Sequence, residues 1–144
     1  MSKKDEEKKK KIEQLISEGK VGEALELADV KDIDNLFLLE LLTWHEKNFE
    51  TAEKIFTHVL KCEPENADAW LDKGEVLRRL GRYSEALTCF NHVIRRDPDN
   101  AQVWLLKGQA LHDLERYDKA LFCYDKVIKR EPQNAVAWFN KGEL

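Results

Sequence analysis

Trp70, Trp104 and Trp138 recur at a step of 34 residues (104−70 and 138−104), and Pro64, Pro98 and Pro132 keep the same step. The stretches 67–100 and 101–134 align without a gap and agree at about half of their positions. A chain built this way is a stack of supersecondary units, none of which can bury its apolar side alone. The repeat therefore constrains the fold more than any local propensity does.

Within a unit the apolar residues are spaced as on a helix rather than alternating as on a strand. Counting from Ala67, the spacing predicts a first helix over 67–80, a turn at Gly81, Arg82 and Tyr83, and a second helix over 84–96. Pro98 ends the second helix, since proline neither continues a helix nor tolerates one in the residue before it. Asn66, Asn100 and Asn134 then stand where N-caps of the next helices are needed. Gly74 and Gly108 fall in mid-helix, at a cost of about 1 kcal/mol each relative to alanine, which implies close approach of another helix. Ala86 and Ala120 are expected opposite them, with Trp70, Tyr83 and Phe90, and then Trp104, Tyr117 and Tyr124, filling the wedge on either side.

These units resemble tetratricopeptide repeats, whose pattern is W-x2-L-G-x2-Y followed by glycine, aromatic, alanine, aromatic, alanine and proline. One unit matches through Trp70, Gly74, Leu77, Gly81, Tyr83, Ala86, Phe90, Val93 and Pro98. The next matches through Trp104, Gly108, Leu111, Tyr117, Ala120, Tyr124, Val127 and Pro132. A weaker unit from Ile33 matches through Leu36, Leu39, Phe49, Ala52, Phe56, Val59 and Pro64. The resemblance implies an all-α protein, a right-handed α-solenoid of antiparallel helix pairs. Its expected divisions are a charged segment at 1–10, a shortened helix pair at 11–32, a divergent unit at 33–66, full units at 67–100 and 101–134, and the first helix of a further unit at 135–144. Two departures stand out. The unit from Ile33 has Glu40 in place of the crossing glycine, which predicts a splayed hairpin with a first helix apolar nearly all round. The last helix has no partner within the sequence, and Trp138 is expected to pack inward while the far side stays uncovered.

In the resembled family the first helices line the binding surface. Carried over position by position, the groove would comprise Phe37, Leu38, Leu41 and Trp44, then Asp68, Leu71, Asp72, Glu75 and Arg78, then Gln102, Leu105, Leu106 and Gln109, and finally Phe139 and Asn140. It reads as apolar at its ends and acidic in the middle, which suits a peptide with hydrophobic anchors and a central basic residue. Alternatively, the row Phe37, Leu71, Leu105 and Phe139 packs between neighbouring first helices. Some members of the family clamp a chaperone's C-terminal carboxylate with lysine, asparagine and arginine. The equivalent positions here hold Phe37, Leu41, Asp72, Gln102 and Leu106, or one unit on Leu71, Glu75, Leu106, Val136 and Asn140, and no cation converges in either set.

Other functional classes find little support. The net charge is −4 and the pI about 5.6, where a protein living on phosphate contacts would be basic. The lysines from Lys3 to Lys11 alternate with Asp5, Glu6 and Glu7 and read as a solvated helix start. The three cysteines, Cys62, Cys89 and Cys123, lack a CxxC spacing and are expected in or near the core of a protein in a reducing compartment. A charged N-terminus without an apolar run behind it, and no apolar stretch of membrane length, predict a cytoplasmic protein. The pairs Cys89–His92 and His58–Cys62 each share a helix face, but repeat symmetry accounts for them better than a zinc site does. No phosphate-binding glycine loop or catalytic motif is present. The expectation is a non-catalytic scaffold without cofactor or metal that binds another protein or peptide, with self-association through its uncapped helical ends as the alternative.

Overall fold

The computed structural model describes residues 2–20, 23–24, 27 and 49–144. Seven helices and no strand occur among these residues: α1 (Lys3–Ser17), α2 (Phe49–Cys62), α3 (Ala67–Arg79), α4 (Tyr83–Arg96), α5 (Ala101–Asp113), α6 (Tyr117–Arg130) and α7 (Ala135–Gly142). They fall into two compact units, Met1–Asn66 and Ala67–Leu144. The first helix expected in the unit from Ile33, with Phe37, Leu38, Glu40, Leu41 and Trp44, lies outside the described residues.

In the first unit, α1 begins where the sequence supplies a cap. The Ser2 hydroxyl oxygen accepts from the Asp5 backbone N–H at 3.2 Å and donates to the Asp5 carboxylate at 2.8 Å. Asp5 and Glu6 complement the positive end of the helix dipole. The hydroxyl donated to Asp5 holds that carboxyl below the usual carboxylate range. The lysine-rich segment and the apolar stripe of Ile12 and Ile16 are therefore one continuous helix, crossing the division expected at residue 10. Gly19, at φ 76°, closes it: its N–H donates to the Ile16 carbonyl and the Lys20 N–H to the Leu15 carbonyl, at 3.0 and 2.8 Å. In α2, the buried residues Ala52, Ile55, Phe56, Val59 and Leu60 fall on one helical stripe.

In the second unit, α3 packs on α4, α4 on α5, α5 on α6 and α6 on α7, and α3 also touches α5. The same turn joins α3 to α4 and α5 to α6. The Gly81 N–H donates to the Arg78 carbonyl and the Arg82 N–H to the Leu77 carbonyl; one repeat later, Glu115 donates to His112 and Arg116 to Leu111. Both turns need a residue in the left-handed region. Glycine supplies it at φ 78°, and Glu115 is held there at φ 61°. Asn100 and Asn134 cap α5 and α7, accepting from the Val103 and Ala137 N–H groups at 3.4 and 3.0 Å. The Asn66 amide donates to Glu63 at 2.9 Å.

The crossings are tighter than the sequence implies, and their chemistry differs. A Cβ on Gly74 would lie 2.5 Å from Cε1 of Phe90. The glycines thus receive aromatic rings of the following helix, while Ala86 and Ala120 are fully buried beside them. Phe90 and Tyr124 fill the wedge as expected, each contributing on the order of 2 kcal/mol by burial. Trp70 and Trp104 pack, half-buried, against the same cores, but Tyr117 and Trp138 do not. Tyr117 is half exposed and sits edge-on to His112. Trp138 is 50% exposed rather than packed inward. Each indole N–H requires an acceptor. Trp104 and Trp138 donate to the carbonyls of Pro98 and Pro132 at 2.6 and 2.8 Å, which ties each first helix to the turn preceding it. Cys89 and Cys123 are buried as expected, but Cys62, at the end of α2, is exposed.

Candidate binding surface

The expected groove residues that the structure describes all lie on α3, α5 and α7 of the second unit. On α3, Leu71 is partly buried against the core formed by Leu77, Phe90 and Val103. Asp68 is exposed, and Asp72 and Glu75 are half-buried. On α5, Leu106 packs against that same core and Leu105 against the next one, around Leu111 and Tyr124. Gln102 is exposed and Gln109 half-buried. On α7, Phe139 is 67% exposed. The Asn140 amide nitrogen is buried without a hydrogen-bond partner among the described residues. Phe37, Leu38, Leu41 and Trp44 lie outside the described residues.

Electrostatics divide this face. Burial, reinforced by Asp68 and Glu75, pushes the Asp72 carboxyl up to about 6. Asp68 and Asp72, one turn apart on the same helix, make a patch of negative potential that a cation would relieve. Arg78 is the cation closest at hand, but it is already held. Its guanidinium donates to both oxygens of Glu75 at 3.2 and 3.0 Å, and to Asp113 on α5 at 3.2 Å. Burial opposes its charge, but Glu75 and Asp113 outweigh burial and raise its pKa. Arg79 also reaches Glu75, at 3.1 Å. The Arg78–Asp113 pair straps the C-terminal ends of α3 and α5 together. The sequence places both residues on first helices but does not reveal their pairing, which depends on how far α5 is rotated against α3.

Cys89 is buried and His92 stacks on Trp70, with ring centroids 4.2 Å apart. Among the described residues no group of three or more His, Cys, Asp or Glu side chains could hold a metal ion. No helix among them is long and apolar enough to cross a membrane. An open cleft does occur, but between α5 and α6 rather than on the face shared by α3, α5 and α7.

Known proteins bear on the same residues. Two family models, both described as tetratricopeptide repeat, match residues 44–110 and 101–134 and together span more than half of the chain. No curated protein sequence gives a significant match. Among solved structures, MamA 41-end from Desulfovibrio magneticus RS-1 is similar with a TM-score of 0.74 and 23% identity, over 99% of this chain and 84% of that one. The Arabidopsis OM64 TPR domain is similar with a TM-score of 0.65 and 22% identity, over 69% of this chain and 83% of that one. The first TPR of Spaghetti (RPAP3), bound to the HSP90 peptide SRMEEVD, gives 0.66 and 18%, over 69% and 79%. The glycine–aromatic crossings, the repeated turns and the two family matches lead to one conclusion: the chain belongs to the tetratricopeptide-repeat family, with an all-α fold of stacked helix pairs.

Proposed function

We propose that the chain is a non-catalytic protein-interaction module that holds a segment of another protein along the face of α3, α5 and α7. The observation that carries this reading is the row of half-buried acids Asp72 and Glu75 set beside partly exposed Leu71, Leu105 and Leu106. Apolar surface that the core only half covers, next to Asp72, whose charge is poorly solvated, favours a ligand with a leucine-like anchor and a lysine or arginine. Similar folds solved with bound peptides support a peptide as the ligand class. Those peptides end in EEVD, and the acidic centre here repels such a tail, so we propose a different, basic-apolar ligand.

The test is affinity capture with the wild-type chain and with the double variant Asp72→Lys plus Leu106→Glu, folding being checked by circular dichroism. Partners retained by the wild type and lost by the folded variant support the groove. An identical set of partners on both sides contradicts it.

A second reading has its own support. Val136, Trp138, Phe139 and Leu144 are all exposed on or just after α7, leaving an apolar end face. Self-association through that face predicts a sedimentation coefficient that rises with concentration and falls back in a Phe139→Lys variant. A concentration-independent monomer would eliminate it.

A further inference from the structure

The cleft between α5 and α6 has the opposite character to the acidic face. It encloses about 510 Å³ and is walled by Pro98, Ala101, Trp104 and Phe122, with Lys126 and Lys129 on its rim. Phe122 is 58% exposed and meets Trp104 edge-on, with centroids 6.2 Å apart. The Lys126 ammonium stands 5.1 Å from the Trp104 ring and 5.4 Å from the Phe122 ring, and Lys107 stands 5.2 Å from Trp104. The indole is fixed in place by its hydrogen bond to Pro98.

The preceding repeat shows that folding does not demand this arrangement. There, Thr88 occupies the position of Phe122 and His92 that of Lys126, and His92 closes over Trp70 by stacking. Here a lysine ammonium stands over the tryptophan in place of that stacked ring, and the added phenylalanine gains little burial. Lys126, Lys129 and Arg130 line the cleft against Asp99 and Asp125, and Asp125 is already paired with Lys141 at 2.8 Å. This is a cationic, aromatic patch on a chain of net charge −4.

We propose that this cleft docks an acidic segment of a partner protein, which lays one aromatic side chain against the exposed face of Phe122 beside Trp104 and sets carboxylates against Lys126, Lys129 and Arg130. The rings supply offset or edge-on stacking and the rim supplies charge complementarity. A nucleic acid fits less well, because three cations in one cleft neutralise few phosphates and the chain as a whole is acidic. The site is set apart from the acidic face: Trp104 lies on nearly the opposite side of α5 from Leu106 and Gln109. Either surface can bind or fail to bind independently of the other.

The test uses the full chain and a fluorescein-labelled, end-blocked peptide, Glu-Glu-Asp-Phe-Asp-Glu-Glu, followed by anisotropy and by the Trp104 indole resonance. Controls replace its acids with lysine, or its phenylalanine with serine, and an oligothymidine competes. Phe122→Thr installs the residue of the preceding repeat, and Lys126→Glu with Lys129→Glu reverses the rim. All three positions are exposed, so folding is expected to survive and is checked by circular dichroism. The expected result is a shifted Trp104 resonance, loss of binding in both control peptides, and a loss of about tenfold or more in each variant. Four results would overturn the proposal. These are no Trp104 shift at millimolar peptide, equal binding of the lysine peptide, variants that bind like the wild type, and tighter binding of the oligonucleotide at the same residues. Dimerisation abolished by Phe122→Thr would also overturn it, assigning the cleft to a second copy of the chain.

Discussion

A Cβ placed on Gly108 would sit 2.6 Å from Cε1 of Tyr124, a ring that is itself completely buried. The ring cannot swing away, since Ala120, Cys123 and Leu111 surround it in the same core. Alanine at 108 would gain about 1 kcal/mol in helix propensity but would force the crossing apart. We expect Gly108→Ala to destabilise the protein by about 1–3 kcal/mol and Gly74→Leu by more than about 2 kcal/mol in urea titrations. Gly142 occupies the same repeat position, yet nothing lies within 4 Å of its Cβ site. Gly142→Ala should therefore be neutral or slightly stabilising. Equal effects at Gly108 and Gly142 would remove the nesting argument.

Glu115 adopts φ 61° at the point where the preceding repeat has Gly81. A left-handed backbone costs a residue with a Cβ about 1–2 kcal/mol, partly offset by the greater unfolded-state entropy of glycine. Glu115→Gly should raise stability by about 0.5–1 kcal/mol, and Gly81→Ala should lower it by about 1 kcal/mol. Thermal denaturation of the two variants decides the point, and a destabilised Glu115→Gly would contradict it.

Burial lifts the folded-state pKa of Asp72 from 3.8 to about 6. The ionised form is thus less comfortable in the folded chain than in the unfolded one. The penalty is absent below pH 3.8, grows between pH 3.8 and about 6, and is complete above that. Asp72→Asn should melt a few degrees higher than the wild type at pH 7.5 and match it near pH 3.5. A difference that is the same at both values would show that the effect is not ionisation.

The thiols differ in reach. Cys62 is exposed, Cys89 and Cys123 are buried, and burial pushes the Cys123 thiol up to about 11. A disulfide reagent at pH 8 should titrate one thiol promptly in the native protein, and Cys62→Ser should remove that fast phase. Rapid reaction of all three would contradict the packed second-helix interiors.

The repeat itself, the helix order and the caps at Asn100 and Asn134 are legible in the sequence because they are local and periodic. The aromatic–glycine contact is less so, since spacing marks Gly74 as a close approach without saying whether Ala86 or Phe90 arrives there. Trp138 and Tyr117 are more exposed than the spacing predicts, because period marks the face a ring takes without saying whether a neighbouring helix covers it. For the binding face, the positions of Leu71, Asp72 and Leu106 along their helices follow from the repeat register. The Arg78–Asp113 strap does not, because it joins residues on different helices whose relative rotation is set by packing. The Trp104–Phe122 cleft left a trace, a phenylalanine where the neighbouring repeat has Thr88, visible only when the two repeats are laid side by side.

The most direct test of a binding face on α3, α5 and α7 is an NMR titration of the labelled chain with a peptide carrying two leucines around an arginine. The account predicts amide shifts concentrated at Leu71, Asp72, Glu75, Leu106 and Asn140, strengthening as the pH rises through about 6, where Asp72 becomes charged. Shifts confined to α4 and α6, or none at millimolar peptide, would contradict it.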